Sequence, residues 1–322
     1  MILILMLLAG FALLLLGGEA LVRGSVDAAS RLGVSKLIIG ITLVGFGTSM
    51  PEMVTSIQAV YAGSPGIAIG NFVGSNIANI LLVLGLSALV ATVPVGKSVV
   101  ARDGYMVLAV TIMFIVMCLT VPFNRAVGLV FLAILTAYLI YAVRQDRKSM
   151  ALAGETDGEN GQDDGVWPVA YAILIAIIGM AMVIGGGHIL VIAAIDLAKV
   201  MGVPEHVIGL TIVAVGTSLP ELATFLISAA RGESEIGVGN LLGSNLFNLL
   251  AIGGMTATLA PAAIPVPWHI AYVDNLVMLG ATLALLAFAW KGNLITRWEG
   301  ALLLTAYVIY LTTLYATGSG PA

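Results

Sequence analysis

The chain has 322 residues, of which 60% are hydrophobic and 9% charged, and its mean hydropathy is +1.10. No water-soluble domain of this size carries such a composition on its surface, so a bilayer is the expected solvent. The net charge of -4 is small and much of the acid is collected in one segment, so neither nucleic acid nor an anionic surface is implied as a partner.

A spanning helix needs roughly 20 mostly apolar residues to cross about 30 Å of hydrocarbon. Apolar runs bounded by Gly, Pro and charge predict such spans at 1–22, 36–61, 66–92, 103–122, 126–143, 168–193, 206–229, 236–260, 272–290 and 299–316. The first run lacks a basic leader and ends in Gly17-Gly18-Glu19 rather than a small-residue cleavage site, so it is read as a retained span. Cys118, the single cysteine, lies in an apolar run and can form no intrachain disulfide. Trp167, Trp268, Trp290 and Trp298 all fall at predicted span ends, where an amphipathic indole prefers to sit. The segment between the halves, within 144–167, is polar and carries Glu155, Asp157, Glu159, Asp163 and Asp164. It reads as a solvated linker, because its spacing matches no EF-hand loop.

Loops alternate between two sides, and the basic residues divide unevenly. Arg23, Arg31, Lys36, Lys97, Arg102, Arg144, Arg147, Lys148, Arg231, Lys291 and Arg297 fall on one side, and only Arg125 and Lys199 on the other. The first side is therefore expected to be cytoplasmic, with both termini outside the cytoplasm.

The sequence is duplicated. Gly40-Ile-Thr-Leu-Val-Gly-Phe-Gly-Thr-Ser-Met-Pro-Glu52 returns as Gly209-Leu-Thr-Ile-Val-Ala-Val-Gly-Thr-Ser-Leu-Pro-Glu221, an offset of 169 residues. The same offset carries Gly70-Asn71 to Gly239-Asn240, Gly74-Ser75-Asn76 to Gly243-Ser244-Asn245, and Leu135–Tyr141 to Leu304–Tyr310. A repeat of five spans is odd in number, so the second copy enters the membrane from the opposite side. The expected fold is thus an all-α membrane protein of ten transmembrane helices, built as two inverted five-helix repeats at 1–143 and 168–322. That architecture is typical of secondary transporters, with the substrate site near the midplane where the copies meet.

Of 17 acidic residues, only Glu52 and Glu221 fall near the middle of apolar spans. A carboxylate at that depth is costly, and its occurrence at the same place in both repeats points to function rather than to a structural bond. Each glutamate follows Gly-Thr-Ser-x-Pro. Pro51 and Pro220 lack an N–H and clash with the carbonyl four residues back, so oxygens around Gly47, Thr48, Gly216 and Thr217 lose their helical partners. Within a membrane such freed oxygens need another partner, and a cation can be one. Thr48 and Ser49 lie four and three residues before Glu52, and Thr217 and Ser218 stand likewise before Glu221. The next span of each half adds Ser75 with Asn79, and Ser244 with Asn248, each pair on one helix face. Hydroxyl, amide and carboxylate oxygens suit Na+ and Ca2+, whereas a soft transition metal would want Cys or His. His188, His206 and His269 form no spaced cluster and read as helix-end residues. Glu19 and its counterpart His188 read as structural, and Asn71, Asn76, Asn240 and Asn245 as interhelical glue. Gly70-x-x-x-Gly74 and Gly239-x-x-x-Gly243 predict close helix approach.

The blocks Gly-Thr-Ser-Met-Pro-Glu at 47–52, Gly-Ser-Asn-Ile-Ala-Asn at 74–79, Gly-Thr-Ser-Leu-Pro-Glu at 216–221 and Gly-Ser-Asn-Leu-Phe-Asn at 243–248 resemble the two alpha-repeats of the Na+/Ca2+ exchangers and their prokaryotic relatives. The resemblance implies an antiporter that exchanges Na+ for Ca2+, with four core helices around a cluster of cation sites and a tilted pair formed by spans 1 and 6. It implies that Glu52 and Glu221 bind Ca2+ with the carbonyls of Thr48 and Thr217. Ser49, Ser75, Ser218 and Ser244, with the carbonyls of Gly45 and Ala214, would complete flanking Na+ sites, and Asn79 and Asn248 would orient a water or the carboxylates. Asn248 departs from members that carry Asp there, which argues against K+ co-transport. The ions are cargo, no cofactor is expected, and no obligatory protein partner is inferred. A Ca2+/H+ antiporter is the nearest alternative and a cation channel a more distant one. An enzyme lacks support, since no His or Cys cluster, nucleophile–base pair or phosphate loop accompanies the glutamates.

Overall fold

The computed structural model describes residues 2–152, 168–201 and 216–316. They form α1 (Ile2–Leu32), α2 (Lys36–Thr48), α3 (Met50–Tyr61), α4 (Pro65–Val90), α5 (Lys97–Thr120), α6 (Arg125–Leu152), α7 (Val169–Val200), α8 (Leu219–Ala230), α9 (Ser234–Leu259), α10 (Ile270–Gly292) and α11 (Arg297–Ala316). Seven of the described helices are long and apolar enough to cross a membrane, or eight if α2 and α3, bent by 41° at Ser49, count as one span. The chain is therefore all-helical and multi-pass. Trp268, Trp290 and Trp298 are exposed at helix ends, as the aromatic-belt argument expects. Four expected boundaries move by six residues or more. α5 begins at Lys97 rather than at 103, and α7 runs to Val200 rather than to 193. α1 continues ten residues past its predicted end, and α6 runs through the basic stretch after 143 to Leu152, where Arg, Gln, Lys and Met favour helix. Of the predicted linker, 153–167 lies outside the described residues, as do Trp167, His206 and the start of the seventh predicted span.

Chain contacts divide the protein into two compact units: Met1–Thr48 with Ala137–Gly243, and Ser49–Thr136 with Ser244–Ala322. Each unit draws on both repeats.

In the first unit α1 packs antiparallel along α7. A Cβ built on Gly10 would lie 2.9 Å from the Gly186 carbonyl oxygen, one on Gly17 2.8 Å from that of Gly179, and one on Gly24 2.6 Å from that of Ala172. Three contacts spaced seven residues apart put backbone against backbone, so any side chain on this seam would clash. α2 lies equally close to the start of α9, where Cβ atoms on Gly239 and Gly243 would meet the carbonyls of Leu37 and Ile41. The predicted close approach thus holds for the second Gly-x-x-x-Gly. For the first Gly-x-x-x-Gly the described residues show no such approach, a Cβ on Gly70 meeting only Ile270 Cδ1 at 3.6 Å.

Polar ties fasten the basic end of this unit. Asp146 accepts the Ser35 N–H and hydroxyl, both at 2.7 Å, while Ser35 Oγ caps α2 by accepting the Ile38 N–H. Lys36 pairs with Glu233 at 2.7 Å, and Arg231 with Glu19, which confirms a structural use for Glu19. Asp146 is buried, so Asp146→Ala should destabilise the protein by about 2 kcal/mol through the loss of two bonds to a charged acceptor. Lys36→Ala removes a partly exposed pair and should cost about 1 kcal/mol or less. Thermal unfolding in detergent separates the two.

In the second unit α4 is the hub, touching α3, α10, α11 and the 247–252 turn of α9. Phe72, Phe114, Phe123 and Phe131 interlock around it with centroids 5.7 to 6.3 Å apart, three of the four pairs edge to face and Phe114–Phe131 tilted. A two-residue antiparallel ribbon, β1 (Val93–Pro94) with β2 (Leu294–Ile295), ties the ends of α4 and α10.

Candidate cation site

The duplicated motif breaks the helix as its proline demands. α2 stops at Thr48, Ser49 turns with φ -83° and ψ 0°, and α3 begins at Met50. Ser218, at φ -92° and ψ 6°, precedes α8 in the same way. Pro51 and Pro220 sit in the first turn of the new helix, where a missing N–H is harmless. Glu52 and Glu221 therefore occupy first-turn positions, where free N–H groups and the helix dipole favour a carboxylate. Both are buried, at 1% and 2% exposure.

The first unit carries Gly45, Thr48, Thr217, Ser218 and Glu221. Gly45, Thr48 and Ser218 are buried, and Thr217 half-buried. The Thr48 hydroxyl donates to Asn240 Oδ1 at 2.9 Å, and the Thr48 side chain also hydrogen-bonds the Glu221 carboxyl group, which accepts its own backbone N–H. Glu221 Oε2 and Ser218 Oγ are buried with no hydrogen-bond partner among the described residues. A carboxylate oxygen and a hydroxyl oxygen without hydrogen-bond partners are what a hard cation takes up. Ala214 lies outside the described residues.

The second unit carries Ser49, Glu52, Ser75, Asn79, Ser244 and Asn248, all buried. Asn71 Nδ2 donates to the Glu52 backbone carbonyl and to Ser56 Oγ, both at 3.0 Å. Asn79 Nδ2 donates to Asn245 Oδ1 at 3.4 Å, which leaves Asn79 Oδ1 without a partner among the described residues. Asn248 Oδ1 and Ser49 Oγ share that condition. Both helices widen to π-helical turns here, at Asn79–Leu84 in α4 and Phe247–Ile252 in α9. Such turns shift the backbone ladder by one residue and recur at functional sites.

Thus ten of the twelve predicted site residues are buried, Thr217 is partly so, and each unit holds one glutamate with a serine three residues before it. Asn71 and Asn240 tie neighbouring helices together, as their reading as interhelical glue expects, and the ties land on the Glu52 main chain and on Thr48. Their duplication at one offset was the available signal for where those ties fall.

The profile of the sodium/calcium exchanger protein family matches residues 2–144 and 171–316. The chain belongs to that family. The sodium/calcium exchanger MaX1 of Methanosarcina acetivorans is 32% identical over 350 residues, covering 97% of this chain and 98% of the relative. The inner membrane protein YrbG of Escherichia coli is 33% identical over 319 residues, covering 96% of each. A solved structure of the sodium-calcium exchanger NCX_Mj, soaked with Na+ and without Ca2+, superposes with a TM-score of 0.80 at 33% identity, over 97% of this chain and 98% of that one. Exchanger family members are transporters, and the residues that resemble their repeats are the buried ones described above.

Proposed function

We propose that this chain is a secondary antiporter that exchanges Na+ for Ca2+ by alternating access. The observation that carries the reading is a pair of Gly-Thr-Ser-x-Pro-Glu breaks, one in each repeat, each presenting a buried first-turn glutamate among buried oxygens. Family membership and the likeness to NCX_Mj support it. The proposed ligands are Glu52 and Glu221 with the Thr48 and Thr217 carbonyls for Ca2+. Ser49, Ser75, Ser218, Ser244 and the carbonyls of Gly45 and Ala214 serve Na+, with Asn79 and Asn248 orienting a water or the carboxylates.

With both glutamates ionised, the protein carries about two negative charges that one Ca2+ neutralises and that Na+ neutralises only in multiples. Uncompensated, they oppose any passage through the low-dielectric barrier by several kcal/mol, so the carrier switches only when loaded. More than two Na+ per Ca2+ makes the cycle electrogenic, and the membrane potential then drives Ca2+ out. The ten-span inverted-repeat topology, the cytoplasmic placement of the basic loops, both termini outside and residence in the cell membrane complete the proposal.

The test is radiolabelled Ca2+ uptake into proteoliposomes. An imposed Na+ gradient at fixed pH is expected to drive uptake, and a valinomycin-set potential to change its rate. Uptake that follows a proton gradient and ignores Na+ would sink this reading in favour of Ca2+/H+ exchange.

A further inference from the structure

We infer that the duplicated asparagines Asn71 and Asn240 are positioning residues that set the two glutamate-bearing segments, an inference that rests on the Ca2+-binding reading above. In the first unit, Asn240 is fully buried on α9 and accepts the Thr48 hydroxyl at 2.9 Å, while the same Thr48 side chain is hydrogen-bonded to the Glu221 carboxyl group. A hydroxyl has one proton, so Thr48 serves one of these acceptors at a time. Asn240 Nδ2 is buried with no acceptor among the described residues. Turning that amide through half a revolution puts an N–H on Thr48 Oγ1 and releases the hydroxyl proton toward Glu221. The chain Asn240 to Thr48 to Glu221 then points every donor at the carboxylate. One orientation suits a carboxylate whose charge a cation holds, and the other suits the carboxylate alone.

In the second unit the counterpart acts through the main chain. Asn71 Nδ2 spends its two protons on the Glu52 carbonyl and on Ser56 Oγ, and Ser56 Oγ reaches on to the Ala68 carbonyl at 3.4 Å. The first turn of α3 is thereby pinned to α4 at the residue that bears the carboxylate. Glue between helices could sit anywhere along them. Both copies of this asparagine instead grip the glutamate or the threonine that holds it.

The experiment measures the Ca2+ dependence of Na+-driven flux in proteoliposomes for wild type, N240L, N71L, T48V, T48S and the double variant T48V/N240L, with melting temperatures alongside. N240L is expected to raise the half-saturating Ca2+ concentration about tenfold and to change the maximal rate by less than about threefold, as loss of one bond to a charged group predicts. T48V should give a similar shift, T48S should restore the wild-type value, and the double variant should exceed the worse single by less than about twofold, because the two act in one chain. Should N240L fail to fold, N240S gives the same reading with a smaller side chain. The inference is overturned if N240L and N71L lower flux at every Ca2+ concentration without moving half-saturation, or if the Thr48 and Asn240 effects multiply. Absence of Na+-driven flux in the wild type would instead overturn the exchange reading itself.

Discussion

Glu221→Gln and Glu52→Gln are each expected to cut Na+-driven Ca2+ uptake at least about thirtyfold. The amide has the shape of the acid and can still accept the Thr48 hydroxyl and the backbone N–H that hold Glu221, so the fold survives. What disappears is one unit of negative charge at a buried position. Removing one member of a desolvated, closely held charge pair costs about 2–5 kcal/mol, which is roughly 30-fold to several thousandfold in affinity. Melting temperatures close to wild type would show that the loss is in binding. Near wild-type uptake in both variants would remove these residues from the site. A loss confined to one would show that a single carboxylate carries the ion.

Gly179→Val should be the most damaging single change away from the glutamates. Gly179 faces the backbone of α1, and even a Cβ there would stand 2.6 Å from the Gly17 carbonyl oxygen. The neighbour is main chain, which cannot turn aside as a flexible side chain could. Valine adds two more carbons to that clash, so α1 and α7 must separate along their seam. The expected cost exceeds about 3 kcal/mol, seen as a melting temperature in detergent lower by roughly 5–10 °C or as loss of monodisperse protein. Gly185→Ala on the same helix is the control, since a Cβ there meets nothing within 4 Å among the described residues. It should be neutral or slightly stabilising, because alanine loses less backbone entropy in a helix. Equal melting temperatures for the two variants would show that the seam is not the tight contact described here.

Local chemistry along the chain specifies much of this protein. Apolar runs of about twenty residues must lie in lipid, a proline after Gly-Thr-Ser must break its helix, and a glutamate just past that break must fall in the first turn of the next one. Duplication at a single offset then marked Glu52 and Glu221, and with them most of the buried oxygens, before any coordinate was known. The partners of these residues come from folding. Ser35 and Asp146 stand 111 residues apart, and Thr48 and Asn240 192 apart, and no spacing rule links such pairs. In a bilayer an outward face and an inward face are both apolar, so hydropathy reveals a span but not the side on which it packs. The seven-residue glycine seam of α1 and α7 was legible only once the two backbones lay against each other. The same holds for Asn71 and Asn240, whose amides find their acceptors on segments brought near by folding rather than by order along the chain.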